Sequence, residues 1–265
     1  MACLICAHPT LTPVGSFADY AAAAKLAPDE RSKLYAYIES HPEAAFERFD
    51  RCAACGFTQV VPLPSLTTLI TFYQNYYASG AYAGKRDKKI ARTLRRLNRL
   101  RPYVASGRFL DVGCNVGFAV EAARMAGFAA TGIEIDAAAV AYASEHFSKN
   151  QYIATPIDSY TPDAPFDLVH CTEVIEHVVD PVGFMGHLAR VTKAGGYLFL
   201  TTPDAGHWRR PARLVDWPET KPLEHITWQT KRSLTHLLNA QGFDVVRFAF
   251  NLKPGLRVIA RRRSA

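Results

Sequence analysis

From Gly107 onward the apolar positions switch between two periods. Short apolar or β-branched runs near 108–112, 129–135, 151–154, 167–172 and 196–202 are bounded by Gly, Asp, Asn or Pro and predict strands. Between them, 117–127, 137–149 and 181–193 carry apolar residues at helical spacing. Such alternation predicts a parallel sheet covered on both faces. The ending differs: helix 231–241, Gly242, strand 243–250, the Pro254-Gly255 turn, then strand 256–262. Two strands joined by a short turn run antiparallel. Ahead of this block, Ile90, Leu94, Leu97 and Leu100 recur at three- and four-residue steps, giving a helix with one apolar seam. Val61-Pro62-Leu63-Pro64 is a stiff connector. From Ser65 a helical segment leads into a tyrosine-rich stretch (Tyr73, Tyr76, Tyr77, Tyr82). Residues 16–48 read as an inserted helical segment, with Ser16 as a cap and Leu34, Tyr35, Ile38, Phe46 and Phe49 available for packing. The chain thus divides into 1–60, a helical linker 61–106, and an α/β domain 107–265.

Composition narrows the class. A chain of 265 residues with 49% hydrophobic and 21% charged residues has the means to bury a core, which excludes a disordered chain. No window approaches the roughly 18 unbroken apolar residues of a membrane span. The start, MACLICAHPT, lacks a cationic segment before its apolar run, which argues against a secretory signal. The expectation is a soluble, cytoplasmic protein. The net charge of +7 is concentrated in KRDKKIARTLRRLNRLR, residues 85–101. That stripe is either an outward, solvated helix face or an electrostatic footprint for nucleic acid.

Four of the six cysteines form two pairs, Cys3-x-x-Cys6 and Cys52-x-x-Cys55. Two such pairs supply four thiolates for a structural zinc ion, and Gly56 suits a tight knuckle after the second. About 45 residues separate the pairs, well beyond the usual ribbon spacing of about 12–20. Two disulfides, a redox pair and unrelated free thiols compete with zinc. An intracellular setting disfavours disulfides, and no βαβ unit surrounds either pair. Cys114 and Cys171 stand alone and read as small buried side chains.

The chemistry starts at FLDVGCNVGFAVEAA, residues 109–123, where a β-run ends in a Gly-containing turn and a helix opens near Gly117. Such a turn lets a ligand approach the backbone. Glu134 ends the next strand, about 20 residues on, where a carboxylate accepts both hydroxyls of a ribose. Asp158 follows the third strand, placed to meet an adenine edge, and FDLVHCTEVIEHVVDP (166–181) follows in order.

Residues 107–262 resemble a class I S-adenosylmethionine-dependent methyltransferase, with a seven-stranded Rossmann-like sheet and an antiparallel last strand. The resemblance implies that Asp111, Gly113, Asn115, Gly117 and Phe118 line the methionine side of the cofactor and that Glu134 holds the ribose. It further implies Ile135 beside the adenine, Asp158 with Ser159 at the adenine amino group, and Cys171 beside the sulfonium. Asn115 departs from the family's usual glycine; Asn tolerates left-handed backbone better than most residues. The Gly-x-Asn-x-Gly turn and the CxxC…CxxCG front, read as a zinc-ribbon-like module with an inserted helical segment, are similar to methyltransferases of sugars and secondary metabolites.

The acceptor is less legible. Where amino-methylating nucleic-acid enzymes carry an Asn/Asp-Pro-Pro-aromatic tetrapeptide, this chain has Cys171-Thr172-Glu173-Val174, which disfavours base methylation. All three tryptophans fall within 208–228, in an insertion expected to overhang the carboxyl ends of the strands. Trp208, Arg209, Arg210, Arg213, Trp217 and Trp228 would either stack on a ring and pair with phosphate or form the insertion's own small core. The favoured expectation is methyl transfer to oxygen, or carbon, of a small molecule such as a sugar, glycan precursor or secondary metabolite. An RNA methyltransferase using helix 85–101 and a non-catalytic binding module are the alternatives. Two histidines are candidate bases: His177, just after the fourth strand of the α/β block, and His225, at the end of the insertion and favoured because a base must touch the acceptor.

Overall fold

The computed structural model describes residues 2–23, 36–76 and 86–264. Leu34, Tyr35, Tyr77 and Tyr82, with the side chains of Tyr73 and Tyr76, lie outside the described residues.

The larger body is a seven-stranded sheet. Its strands are β4 (Gly107–Val112), β5 (Phe128–Glu134), β6 (Gln151–Ala154), β7 (Phe166–Thr172), β8 (Thr192–Pro203), β10 (Phe243–Phe248) and β11 (Gly255–Arg262). They are ordered β10-β11-β8-β7-β4-β5-β6, and β11 is antiparallel to both its neighbours, as the hairpin with β10 requires. On one face pack α3 (Arg86–Leu100), α4 (Phe118–Met125) and α5 (Ala137–His146), over Phe109, Leu168 and Phe199. On the other pack α6 (Pro181–Val191) and α7 (Lys231–Ala240), over Leu110, Val169 and Leu200. The β-runs were near-continuously apolar because both faces are covered. Helix starts are chemically marked: Asp136 and Asp180 cap α5 and α6 by accepting backbone N–H bonds, and Thr230 forms a capping box with Ser233 at α7. The helix expected over 181–193 stops at Val191; Thr192 already pairs with Phe166 in the sheet.

The front of the chain is more β-structured than its sequence pattern predicts. Strands β1 (Leu11–Ser16), β2 (Arg48–Cys52) and β3 (Thr58–Val61) form an antiparallel sheet. Ser16 does cap a helix, the six-residue α1 (Phe17–Ala22), in a capping box with Asp19. After the connector comes α2 (Leu66–Tyr76). The fourth strand of this sheet is β9 (Thr227–Trp228), a two-residue piece of the distant insertion that pairs with Thr58 and Gln59. Tyr20, Phe46, Phe49, Val60 and Phe72 from the front share one core with Leu214, Trp217, Ile226 and Trp228 from the insertion. Trp228 is fully buried, sets its ring edge-on to Phe49 with centroids 5.6 Å apart, and donates its indole N–H to the Glu219 carbonyl at 2.9 Å.

Helix α3 docks through Ile90, Leu97 and Leu100, with Leu94 half-buried. The expectation that its arginines all face outward fails at Arg96. That guanidinium lies over the Phe199 ring, 4.9 Å from its centroid, and donates to His170 Nε2 at 3.0 Å. Burial, reinforced by the like charges of Arg92 and Arg257, lowers its pKa to about 10. Arg92, Arg95 and Arg99 remain exposed. No helix among the described residues is long and apolar enough to cross a membrane.

Candidate active site

The carboxyl edge of the sheet carries the glycine turn. After β4 the chain adopts left-handed backbone at Gly113 (φ 74°), Asn115 (φ 48°) and Gly117 (φ 81°), which glycine permits and asparagine tolerates. Space is also decisive: a Cβ on Gly113 would stand 2.6 Å from Val174 Cγ2, and one on Gly117 would stand 2.8 Å from the Tyr152 ring. Glu134, at the end of β5, closes the turn. Its Oε2 accepts the Asn115 N–H at 2.9 Å, and its Oε1 accepts those of Ile135 at 2.7 Å and Asp136 at 3.2 Å. Burial raises its pKa even though those N–H groups favour the carboxylate. Ile135 beside it leaves 55% of its surface exposed, an apolar plate at the strand end.

The other expected cofactor residues divide into two groups. Asp158 and Ser159 are exposed on the loop after β6, bonded to each other at 2.9 Å, and Arg190 pins that loop by donating to the carbonyls of Ile157, Asp158 and Tyr160. Phe118 packs edge-on against Phe147 at the start of α4. Asp111 is buried, and its Oδ1 accepts from His170 Nδ1 at 2.6 Å on the neighbouring strand. Cys171 has no exposed surface: its thiol packs in the core on the α6–α7 face, and burial pushes its pKa well up. The strand-end residue that emerges is Thr172. The Arg96–His170–Asp111 chain was missed in the sequence; its signal was a histidine in the middle of an otherwise apolar β-run.

Beside the glycine turn, the segment after β7 forms a tight 3-10 turn, Ile175–His177, clamped to the insertion. The Ile226 N–H donates to the Glu176 carbonyl at 2.9 Å, and Thr227 Oγ1 donates to the Ile175 carbonyl at 3.3 Å. This clamp brings together the two histidines that the sequence nominated. Their rings meet edge to face with centroids 4.9 Å apart. His177 Nδ1 bonds the Glu224 carbonyl at 2.5 Å and His225 Nδ1 bonds the Glu219 carbonyl at 2.8 Å. His225 is 4% exposed, and burial together with the His177 charge lowers its pKa to about 3. A ring held neutral that firmly is a weak proton acceptor near pH 7, which counts against His225 as a free general base. Glu176 is sealed beneath the pair, accepting from Thr202 Oγ1 at 3.0 Å, and burial raises its pKa well above the carboxylate range.

The tryptophans also separate. Trp217 and Trp228 are core, whereas Trp208, on the stretch leaving β8, is 75% exposed with the Arg209 guanidinium 5.5 Å over its ring. Phe250, on the neighbouring loop before β11, is 76% exposed, and Asn251 on that loop accepts from His207 at 3.0 Å through its carbonyl.

At the far end of the front sheet the four paired cysteines converge, with all four sulfurs within 4.8 Å of one another. Cys3 Sγ lies 3.6 Å from Cys55 Sγ, and Cys6 Sγ 3.6 Å from Cys52 Sγ. These distances exclude disulfide bonds, whose sulfurs are about 2.05 Å apart. They suit a tetrahedral zinc, whose bonds of about 2.3 Å set sulfurs about 3.8 Å apart. Each knuckle turns through a left-handed residue, Ala7 (φ 55°) and Gly56 (φ 76°). The Cys55 N–H points at Cys52 Sγ at 3.4 Å. Burial opposes ionisation of Cys52, but the N–H groups of Cys55 and Ala54 and the neighbouring thiols outweigh it and bring its pKa to about 6.

Comparison with known proteins agrees with this edge. Residues 82–247 match the family model for a methyltransferase domain, more than half of the chain, and the chain belongs to that family. Its curated relatives include ubiquinone biosynthesis O-methyltransferases. That of Bradyrhizobium sp. (strain ORS 278) is 35% identical over 99 residues, 36% of this chain and 39% of the relative. That of Coxiella burnetii (strain Dugway 5J108-111) is 36% identical over 98 residues, 35% of this chain and 42% of the relative. The matched region therefore spans about two fifths of those relatives. Among solved structures, the Burkholderia thailandensis 1,6-didemethyltoxoflavin-N1-methyltransferase, bound to 1,6-didemethyltoxoflavin and S-adenosylhomocysteine, superposes with a TM-score of 0.59 at 16% identity, covering 80% of this chain and 97% of that one. Magnesium protoporphyrin IX methyltransferase from Synechocystis PCC 6803, with bound S-adenosylmethionine, gives 0.53 at 15% identity over 76% of this chain and 99% of that one. At these identities the likeness is one of fold.

Proposed function

We propose that the protein transfers the methyl group of S-adenosylmethionine to a hydroxyl oxygen of a small molecule that carries a flat or apolar ring. The observation that carries this reading is the contact between the two halves of the carboxyl edge. Val174 of the segment bearing Glu176 and His177 packs directly on Gly113, so the cofactor turn and the histidine pair share one wall. In this reading Gly113, Asn115 and Gly117 take the methionine portion, Glu134 the ribose hydroxyls, Ile135 the adenine face, and Asp158 with Ser159 its amino edge. Asp111 and Cys171 support the turn from beneath. Trp208 and Phe250 offer exposed aromatic surface for the acceptor ring.

Transfer needs little more than alignment, because the sulfonium already activates the methyl carbon. The acceptor oxygen forms a bond to that carbon, the carbon–sulfur pair returns to sulfur, and the hydroxyl proton leaves to solvent. His177, the more open of the histidine pair, lies nearest the acceptor oxygen in this reading, with the sealed His225 behind it. The curated relatives that methylate oxygen support this acceptor atom over nitrogen. The RNA reading loses Arg96, which the fold has used, from the basic stripe whose other arginines Arg92, Arg95 and Arg99 stay exposed.

The four cysteines fit a structural zinc ion, which would fasten the front sheet and take no part in the transfer. A cytoplasmic location and the division of the chain at 60 and 106 are proposed with this function.

The test is to incubate the protein with methyl-labelled cofactor against metabolite extract and against total RNA. Label in a small hydroxyl compound is the expected result. Label in RNA alone would replace this reading with the alternative.

A further inference from the structure

We infer that Glu176, His177 and His225 form a binding site for a divalent first-row transition cation, separate from the four-cysteine cluster. One oxygen of Glu176 and one ring nitrogen from each histidine lie within 4.8 Å of one another. The inner residue is the telling one. Glu176 has no exposed surface; its Oε2 is bonded to Thr202, and its Oε1 lacks any hydrogen-bond partner while facing His177 Nε2 at 4.0 Å. A sealed carboxylate oxygen without a partner is costly unless something positive answers it.

The histidines are set up to answer as ligands rather than as acids. Each Nδ1 bonds a backbone carbonyl, which can only accept, so each ring carries its hydrogen on Nδ1 and a lone pair on Nε2. Fixing the tautomer through an outer hydrogen bond to a carbonyl is how proteins orient metal-binding imidazoles. Two imidazoles with one carboxylate select zinc, manganese, iron or cobalt over calcium and magnesium. Ligand atoms in a tetrahedral site with bonds of about 2.0–2.1 Å stand about 3.4 Å apart, so the observed 4.0 Å must close by about 0.6 Å when a cation binds. The set is assembled from two segments far apart in the chain, held by the Ile226 and Thr227 clamp. Glu176 and His225 are sealed, whereas His177 is half-buried, so the open side of the site lies toward His177.

The site's role rests on the proposed methyl transfer: a cation there would bind the acceptor hydroxyl and make its proton easier to lose.

The experiment titrates Mn2+ into the full-length, zinc-loaded protein and follows free ion by electron paramagnetic resonance. Manganese avoids the thiolate cluster, so one equivalent bound per chain is expected. Glu176→Gln, which keeps the side-chain shape, and His225→Ala should each weaken that binding at least tenfold, with S-adenosylmethionine binding retained as the sign of a folded protein. Wild-type protein that binds no Mn2+, or variants that bind it as tightly as wild type, would overturn the site. Mn2+ binding that is lost in both variants, without methylation of any hydroxyl compound, supports the site and sinks the methyl-transfer reading instead. Undiminished methyl transfer after chelation of the bound ion would overturn the site's catalytic role and leave that reading standing.

Discussion

Arg96 donates to His170 at 3.0 Å, a polar bond from the basic helix into the central sheet beside the apolar contacts of Ile90, Leu97 and Leu100. Because the Arg96 donor takes Nε2, His170 must donate its Nδ1–H to Asp111, 2.6 Å away at the end of β4. A charge stripe that reads as solvent-facing thus sends one member inward, under the glycine turn.

Replacing Arg96 with Leu should therefore destabilise the protein by about 1–3 kcal/mol, since it strands a buried imidazole nitrogen and removes the stacking on Phe199. Arg92→Ala and Arg95→Ala, on the exposed face, should stay within about 0.5 kcal/mol. Urea unfolding of the three variants checks this. Equal effects would mean that the Arg96 contact contributes nothing.

The cysteine cluster predicts about one zinc per chain in metal analysis of the purified protein. Cys52→Ser should release the metal and lower the thermal midpoint, because metal binding is part of the front sheet's folding free energy. The loss should reach α7, whose capping Thr230 donates to the Cys55 carbonyl at 2.6 Å. Four freely reactive thiols with full stability would refute the assignment.

Glu134→Ala should weaken S-adenosylmethionine binding by about 1.5–3 kcal/mol, the size of hydrogen bonds to a charged group, and leave zinc content unchanged. Calorimetric titration reads this directly. Wild-type affinity in the variant would move the ribose elsewhere on the edge.

Trp228→Ala should be the most damaging single truncation in the front core, at about 3–5 kcal/mol. It removes a fully buried ring, its contact with Phe49 and its bond to Glu219. Trp208→Ala, at an exposed site, should leave the unfolding midpoint unchanged while weakening acceptor binding.

The sheet of the α/β body was legible because its central strands are largely apolar runs ended by turn residues, and three of the helices start at a capping Asp or Thr. The glycine turn and Glu134 were legible for a similar reason: their chemistry is local. What escaped depends on partners distant in sequence. β9 is two residues long, too short for any periodicity, and exists only because β3 lies beside it. Glu176 reads as an ordinary loop acid; nothing local says that Thr202 and the insertion seal it. Arg96 shares the inward face with Thr93 and Leu100, but that an arginine is accommodated there depends on His170 and Phe199, far away in the sequence.

The pairing of Thr58 with Trp228 has a consequence for how the chain is made. The cysteine hairpins leave the ribosome early, but the strand that completes their sheet is synthesised about 170 residues later. Until then Phe49 has Tyr20 and Phe46 beside it but not the Trp228 ring, and that side of the nascent front end stays uncovered. A shortened gene ending before the insertion would yield a front module without its closing strand. The most stubborn packing in the protein thus ties its first elements to nearly its last.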